Sequence, residues 1–189
     1  AQQVEINYPD INQGHIGPLI FHKQADIIEQ HLRDAEDKGA EILCGGVIEE
    51  HGGGKWILPT VVRNVDHSMM VMTEETFGPI IPIMTYTDVN QAIELANDSK
   101  YGLSAAVLAG DANEAEKIAR QLDAGAISVQ DCGITTYVFD GEKNWFKFSG
   151  TGASRMGKMG MVRFFRKKVI YTQSGATHGI DAMGEQQPN

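Results

Sequence analysis

The chain has 189 residues, of which 42% are hydrophobic and 22% charged, and its formal net charge at pH 7 is −9. Such a length and composition are typical of an ordinary soluble domain that can bury a core. The acidic balance argues against nucleic acids and anionic membranes as partners, because both are bound through basic patches. No apolar run reaches the length of a membrane span and no signal segment opens the chain, so we expect a cytoplasmic protein.

The cysteines and histidines do not predict a metal site. Cys44 lies beside an apolar strand and is expected to be a small core residue. Cys132 follows a predicted strand, where ligands bind in parallel α/β sheets, which leaves a role as nucleophile open. No base motif near Cys132 supports its activation. Surface or capping roles are expected for the six histidines, none of which has helical metal-pair spacing: His15, His22, His31, His51, His67 and His178.

The first half of the chain predicts an irregular approach over residues 1–16, then one helix and two strands. The apolar residues of the helix recur at helical spacing, and Gly39 ends it. The glycine tract after His51 lacks the helix start and Lys-Ser/Thr of a phosphate-binding loop, so it predicts a turn. The expected elements are a helix from His22 to Lys38 and strands at Glu41–Cys44 and Trp56–Val62.

The second half alternates between strands and helices. Asp88 and Asp111 are suitable N-caps for two helices with apolar residues on one side. Short links between alternating strands and helices predict parallel strands with right-handed crossovers. We therefore expect an α/β fold with a parallel sheet and flanking helices, whose strands here are Ile80–Tyr86, Leu103–Ala109 and Ala126–Val129.

The C-terminal region is irregular and predicts a short helical turn at Met161–Arg166 followed by a separate strand at Lys167–Thr172. The polar residues that follow predict a flexible tail. The expected organisation is a main domain over 1–160, a strand or arm over 161–173 and a tail over 174–189.

The most informative motif is Glu74-Glu75-Thr76-Phe77-Gly78-Pro79, directly before an apolar strand. A carboxylate in this loop can accept hydrogen bonds from both hydroxyls of a ribose, and a phenyl ring two residues later offers a flat apolar wall. Gly78 permits a tight turn and Pro79 favours extended backbone. The alternative interpretation is a strand entrance with two solvated surface acids.

This motif resembles the Glu-x-Phe-Gly-Pro element of the NAD(P)-dependent aldehyde dehydrogenase superfamily. Further elements resemble those of the same family, and they follow in order from Gly17 to Tyr171: Gly17-Pro18-Leu19-Ile20, Gly39-Ala40 with Gly45-Gly46, Trp56 to Val61 with Pro59-Thr60, Ala92 to Asp98, Tyr101-Gly102-Leu103, and Lys147 to Gly152.

The resemblance implies that Glu75 holds the nicotinamide ribose, that Phe77 packs near the nicotinamide ring and that Leu103 lines the same end of the cofactor. It implies NAD or NADP and an aldehyde substrate in the complete enzyme, which forms a carboxylic acid or thioester. The last strand of this family pairs with a neighbouring subunit, so a homo-oligomer, a dimer or larger, is expected.

The family's nucleophilic cysteine, general base and Rossmann-type half all precede the matched region. The resemblance therefore implies a C-terminal segment of such an enzyme, with no catalytic residue in this chain. We expect the isolated chain to be inactive and to bind no cofactor alone. A rival hypothesis is a non-catalytic oligomerisation module derived from the family.

Two positions depart from the family pattern. Gln130 stands where the family has Asn after a strand, and Lys143 stands where it has an aromatic residue. A lysine there changes the polarity of the substrate tunnel, and the alternative is that Trp145 or Phe146 takes the place of the aromatic residue through a shifted backbone. The identity of the aldehyde is therefore open.

Overall fold

A computed structural model of the chain describes residues 1–150 and 156–175. Helix α1 (Lys23–Asp37) confirms the helix predicted from periodicity. Its apolar stripe, which includes the buried Ile28 and Leu32, packs against a sheet. Gly39, at φ +94°, turns the chain out of the helix in a conformation that favours glycine.

The sheet under α1 contains β1 (Glu41–Cys44), β4 (Thr60–Arg63) and β5 (Ile80–Ile83), in the order β1-β4-β5. Strand β4 runs antiparallel to β1 and parallel to β5. Between them, β2 (Ile48–His51) and β3 (Gly54–Ile57) form an antiparallel hairpin, as the glycine tract predicted.

The strand expected over Trp56–Val62 is two strands, because the chain changes sheets at Leu58 and Pro59. Pro59 has no N–H to donate to a ladder, and the ladder of β4 begins one residue later, where the N–H of Thr60 donates to the carbonyl of Pro79 at 2.8 Å. The run Trp56–Val62 therefore contains a break between two sheets that its apolar pattern does not predict.

The second half contains α2 (Met70–Thr73), α3 (Val89–Asn97), β6 (Tyr101–Gly102), β7 (Ala105–Val107), α4 (Ala112–Ala119) and β8 (Ile127–Val129). Both predicted caps are confirmed. The side chain of Asp88 accepts from two backbone N–H groups at the start of α3, and that of Asp111 does the same for α4. Strands β7 and β8 are parallel and are joined by α4.

The expected α/β fold with parallel strands and flanking helices is confirmed, and the parallel pairs among the described residues are β4–β5 and β7–β8. Strand β5 pairs with β4, whereas β7 pairs with β8 in a separate two-stranded sheet, and β6 pairs with β9 (Phe146–Lys147). Local alternation predicts where strands form, but the partner of each strand depends on long-range packing. The chain is nevertheless a mixed α/β fold with helices beside its sheets.

The C-terminal region contains α5 (Ile134–Tyr137) and α6 (Gly157–Val162), the second close to the predicted helical turn. The strand expected at Lys167–Thr172 is not formed with any described residue. Val169 and Tyr171 are 67% and 92% exposed. A strand needs a hydrogen-bonded partner, and the described part of this chain supplies none here. The expected tail lies outside the described residues from 176 onward.

Two apolar clusters form the core of the described residues, one between α1 and the β1-β4-β5 sheet and one between α4 and the β7-β8 pair. None of the helices in the described ranges has the length and hydropathy needed to cross a membrane. Over the same ranges, no group of three or more His, Cys, Asp or Glu side chains is placed to hold a metal ion.

Candidate functional site

The loop Glu74–Pro79 joins α2 to β5 and is held at both ends by backbone hydrogen bonds. The N–H of Glu74 donates to the carbonyl of Met70 at 2.8 Å, which closes α2. The carbonyl of Pro79 accepts from the N–H of Thr60 at 2.8 Å, which starts the β4–β5 pairing. The ends of the loop are therefore fixed by the helix and the sheet that flank it.

Three residues inside this loop are anchored to other elements. Nδ1 of His31 on α1 is 2.7 Å from Oγ1 of Thr76. Gly78 packs so closely on α1 that a Cβ there would lie 2.7 Å from Cδ1 of Ile28. The carboxylate of Glu74 accepts from Nζ of Lys100 at 2.7 Å.

Glu75 and Phe77 alternate with these anchored residues and face away from the fold. The ring of Phe77 is 68% exposed, and Glu75 is also exposed. In the part of the chain that the structure describes, the Glu75 carboxylate makes no hydrogen bond or ion pair with a side chain. The loop therefore presents an unpaired carboxylate and an apolar ring, while Glu74 is already occupied by Lys100.

The two side chains that contact the loop, His31 and Lys100, have pKa values shifted in opposite directions. Burial lowers the pKa of His31, and the negative charges of Glu74 and Asp34 oppose that shift. The hydrogen bond to Glu74 raises the pKa of Lys100. At neutral pH the loop is thus bordered by a neutral imidazole on one side and a charged ammonium on the other.

The surface role expected for His31 is wrong, because its side chain is only 5% exposed. The signal was present in the sequence: His31 lies three residues after Ile28 and next to Leu32, on the apolar side of α1. Its partner, 45 positions later in the chain, carried no such signal.

Leu103 is the third residue that the sequence assigns to the cofactor. It is 51% exposed, directly after β6, and lines a cleft of about 250 Å³. The cleft is also lined by Lys143 and Trp145, and neither Glu75 nor Phe77 contributes to it. Glu75 and Phe77 therefore lie on one loop, and Leu103 lies in a cleft beside β6.

The same cleft contains the lysine that departs from the sequence pattern. Nζ of Lys143 donates to the carbonyl of Thr135 at 2.7 Å, and Thr135 also lines the cleft. A half-buried ammonium therefore stands beside Leu103 and Trp145, where the family resemblance predicted an aromatic side chain.

The two cysteines differ in exposure. Cys44 is half-buried, with Sγ 3.8 Å from the carbonyl of Pro59, while Cys132 is exposed. Cys132 lies in a turn that Asp131 closes by accepting from the N–H groups of Gly133 and Ile134, each at 2.6 Å. Among the described residues, no hydrogen bond joins Cys132 to a basic side chain.

Comparison with known proteins places this geometry in one family. The family model described as "Aldehyde dehydrogenase family" matches residues 1–170. A Staphylococcus saprophyticus protein named "Putative aldehyde dehydrogenase" is 35% identical over 171 residues, which cover 89% of this chain and 35% of that protein.

Solved structures agree with the sequence comparison. "Putative Aldehyde Dehydrogenase PutA" from Anabaena variabilis is 54% identical with a TM-score of 0.88, over 95% of this chain and 38% of that one. Betaine aldehyde dehydrogenase from Staphylococcus aureus, in complex with NAD+, is 30% identical with a TM-score of 0.77, over 86% of this chain and 32% of that one.

The chain belongs to the aldehyde dehydrogenase family. It spans about a third of the length of the relatives it matches, 35% of the curated Staphylococcus saprophyticus protein and 38% of the Anabaena variabilis one.

Proposed function

We propose that this chain is a C-terminal segment of the catalytic domain of an NAD(P)-dependent aldehyde dehydrogenase, and that its loop Glu74–Pro79 grips the nicotinamide end of the cofactor. In this proposal Glu75 holds the nicotinamide ribose, Phe77 packs near the ring and Leu103 lines the same end of the cofactor. The nucleophilic cysteine, the general base and the Rossmann-type half are supplied from outside the 189 residues.

The observation that carries this proposal is the exposed carboxylate of Glu75, which has no partner within residues 1–150 and 156–175, next to the exposed ring of Phe77. A carboxylate with unused lone pairs can accept hydrogen bonds from two vicinal hydroxyls. An aromatic face two residues away can cover a flat heterocycle. Thr76, between them, is held by His31, and Gly78, beside Phe77, packs on Ile28. Both groups therefore lie on a loop that is fixed to α1.

The chemistry of such an enzyme divides between this chain and the rest of the protein. Bound NAD or NADP supplies the hydride acceptor. This chain orients the cofactor. Glu75 fixes the position of the ribose, and Phe77 limits the tilt of the nicotinamide ring attached to that ribose. A misplacement of about 1 Å at such a site can cost about a hundredfold in rate. The named complex of the Staphylococcus aureus relative with NAD+ supports NAD as the cofactor.

The remaining proposals concern the substrate, the assembly and the location. The substrate is an aldehyde, and Lys143 in the Leu103 cleft adds a positive charge to its surroundings. The segment Lys167–Thr172 pairs with a neighbouring subunit, which makes the enzyme a homo-oligomer in the cytoplasm. Residues 1–160 belong to the catalytic domain, and 161–173 form the oligomerisation arm.

The test of the ribose grip compares Glu75→Gln with Glu74→Gln in the complete enzyme. The first change removes the charge from an unpaired carboxylate, and the second removes it from one that Lys100 already occupies. A charge-assisted hydrogen bond contributes roughly 1.5–3 kcal/mol, so Glu75→Gln should slow hydride transfer about tenfold to a hundredfold. Single-turnover absorbance of the reduced cofactor measures this rate.

Glu74→Gln should stay within about threefold of wild type, and Phe77→Ala should slow the same step as Glu75→Gln by loosening the ring. Equal rates for Glu75→Gln and wild type, with Phe77→Ala also unaffected, would refute the assignment of the loop.

A second candidate function is an oligomerisation module without catalysis. The observation in its favour is the row of exposed apolar side chains near the C-terminus: Phe164, Phe165, Val169, Ile170 and Tyr171. A reading frame that carries a Gly-Gln-x-Cys motif and a Rossmann-type segment before Ala1 decides for the enzyme, and their absence decides for the module. The 189 residues alone should form no NADH from aldehydes. NADH formation by this isolated chain that Cys132→Ala abolishes would contradict both the enzyme-segment and the module hypothesis.

A further inference from the structure

A buried hydrogen bond connects α1 to the middle of the candidate cofactor loop. His31 is 5% exposed, and its Nδ1 lies 2.7 Å from Oγ1 of Thr76. The two residues are 45 positions apart in the chain. The contact therefore belongs to the tertiary structure and not to the loop itself.

Thr76 stands between the two residues that the proposed function assigns to the cofactor. Burial alternates along this stretch, since Thr76 is half-buried and both Glu75 and Phe77 are exposed. The N–H of Gly78 donates to the carbonyl of Thr76 at 2.9 Å, so the backbone turns tightly at Phe77 directly after the anchored threonine. Fixing the side chain of Thr76 against α1 consequently fixes the direction in which Glu75 and Phe77 leave the surface.

Packing alone does not supply this constraint. Gly78 contacts Ile28 two residues later and sets the depth of the loop on α1, but it carries no directional bond. A hydrogen bond of 2.7 Å restricts both the distance and the angle at Thr76. An apolar residue at position 31 would fill the space and leave the Thr76 hydroxyl without this partner.

The charge state of His31 suits the same role. Burial lowers its pKa, and the carboxylates of Asp34 on the same helix and Glu74 on the loop oppose the shift. A neutral imidazole has one donor and one acceptor nitrogen, so Nδ1 can either receive the Thr76 proton or donate to its oxygen. Neutral His31 thus holds the loop without adding a charge beside the carboxylate of Glu75.

We propose that His31 is a positioning residue for cofactor binding, which acts through Thr76 to aim Glu75 and Phe77 at the nicotinamide end of NAD or NADP. This inference rests on the proposed function of the loop. His31 itself does not touch the cofactor, and its effect is transmitted by one hydrogen bond.

The experiment is a double-mutant cycle in the complete enzyme with His31→Leu and Thr76→Val, each of which keeps the volume and removes one partner. Thr73→Val is the matched control, because Oγ1 of Thr73 donates to the carbonyl of Met69 in the adjacent helix, outside the loop. His31→Asn is the conservative variant, since its amide can occupy the place of Nδ1. The readouts are the single-turnover hydride-transfer rate, the KM for aldehyde, the melting temperature and amide hydrogen exchange of residues 74–80.

One neutral hydrogen bond corresponds to a change of roughly threefold to tenfold. Each single variant should therefore slow hydride transfer by about this factor, with the KM for aldehyde unchanged. The double variant should be no slower than the slower single variant, because both remove the same bond. Exchange in residues 74–80 should rise in all three, and His31→Asn should recover most of the rate.

A lower melting temperature of His31→Leu, with hydride transfer and amide exchange of residues 74–80 unchanged, would mean that His31 acts only as a core residue. That result would overturn the inference. Additive effects of the two single variants would overturn it as well. Should His31→Leu fail to fold, Thr76→Val and His31→Asn carry the same test. The proposed function fails separately: in that case Glu75→Gln leaves the rate unchanged, whereas loop exchange still responds to Thr76→Val.

Discussion

The side-chain amide of Gln130 makes two hydrogen bonds with the backbone of Ala109, and so continues the β7–β8 pairing beyond its last rung. The N–H of Ala109 donates to Oε1 at 2.9 Å, and Nε2 donates to the carbonyl of Ala109 at 2.8 Å. The backbone of Gln130 has a φ of +57° and turns away from β7. The Gln130 side-chain amide therefore takes the place of the backbone peptide group that the turn moves out of the sheet.

Replacing Gln130 by Glu should weaken this end of the sheet. Glutamate keeps the acceptor for the N–H of Ala109 but loses the donor and sets a carboxylate oxygen against the Ala109 carbonyl. One hydrogen bond of this kind contributes about 1 kcal/mol, so losing the bond from Nε2 should lower the free energy of unfolding by about that amount. Amide exchange at Ala109 should rise with it.

Gln130→Gly is the matched comparison, because it also loses the amide but relieves the left-handed backbone. It should restore part of the stability without restoring protection at Ala109. Unchanged exchange at Ala109 in both variants would show that the amide does not hold the strand end.

Gly78→Ala should destabilise the contact between the loop and α1. The new Cβ would lie 2.7 Å from Cδ1 of Ile28, which is fully buried and has little room to move. Overpacking of this kind costs about 1–3 kcal/mol. Denaturant unfolding of the variant measures the loss.

A double-mutant cycle combines Gly78→Ala with Ile28→Val, which removes the Cδ1 atom that the new Cβ would meet. The double variant should be about as stable as Ile28→Val alone, whose own cost is about 0.5–1.5 kcal/mol. Gly110→Ala, where the nearest atom is Oε2 of Glu114 at 3.8 Å, should be close to neutral. A cycle with additive costs would mean that the Gly78 contact is not the source of the effect.

Acidification should destabilise the fold through His31. Its native pKa lies below the ordinary value of 6.5, because burial disfavours the charged ring. The unfolded chain therefore binds the proton more readily, and the stability present above pH 6.5 is lost as the pH falls toward the native pKa.

His31→Asn should remove this part of the pH dependence of the unfolding free energy, whereas His22→Asn, at an exposed position before α1, should retain it. Urea midpoints at half-unit steps of pH from 7.5 to 5 measure the difference. The same slope in wild type and His31→Asn would contradict a lowered native pKa.

Truncation before Arg166 should reduce the assembly state of the protein or cause it to aggregate. The exposed apolar side chains of Val169, Ile170 and Tyr171 have no cover within the described residues, and pairing with a second copy is the simplest way to bury them. Sedimentation velocity measures the effect. Truncation after Gly175, which keeps these residues, should leave the assembly unchanged.

A finer comparison replaces Val169 by Lys and leaves the length of the chain intact. It should weaken association in the same direction as the truncation. A monomer with and without residues 166–175 would mean that this segment is not an assembly element, and would remove the support for the module hypothesis.

Much of the fold could be predicted from the sequence because the signals are local. Helix α1 follows from apolar spacing and the Gly39 stop, and the starts of α3 and α4 follow from the side chains of Asp88 and Asp111, which accept from N–H groups two and three residues later. The order of the short motifs pointed to the aldehyde dehydrogenase family in the same way. These features depend on neighbours within a few positions of the chain.

The tertiary structure alone decided which groups are brought together. The pairing of β5 with β4, the His31–Thr76 bond and the cleft that Leu103 shares with Lys143 all join residues far apart in sequence. Glu74 and Glu75 carry the same side chain, and only the fold pairs Glu74 with Lys100 and leaves Glu75 without a partner among the described residues. Periodicity and capping are set by bonds within one or two turns, whereas burial and pairing are set by the packing of the whole chain.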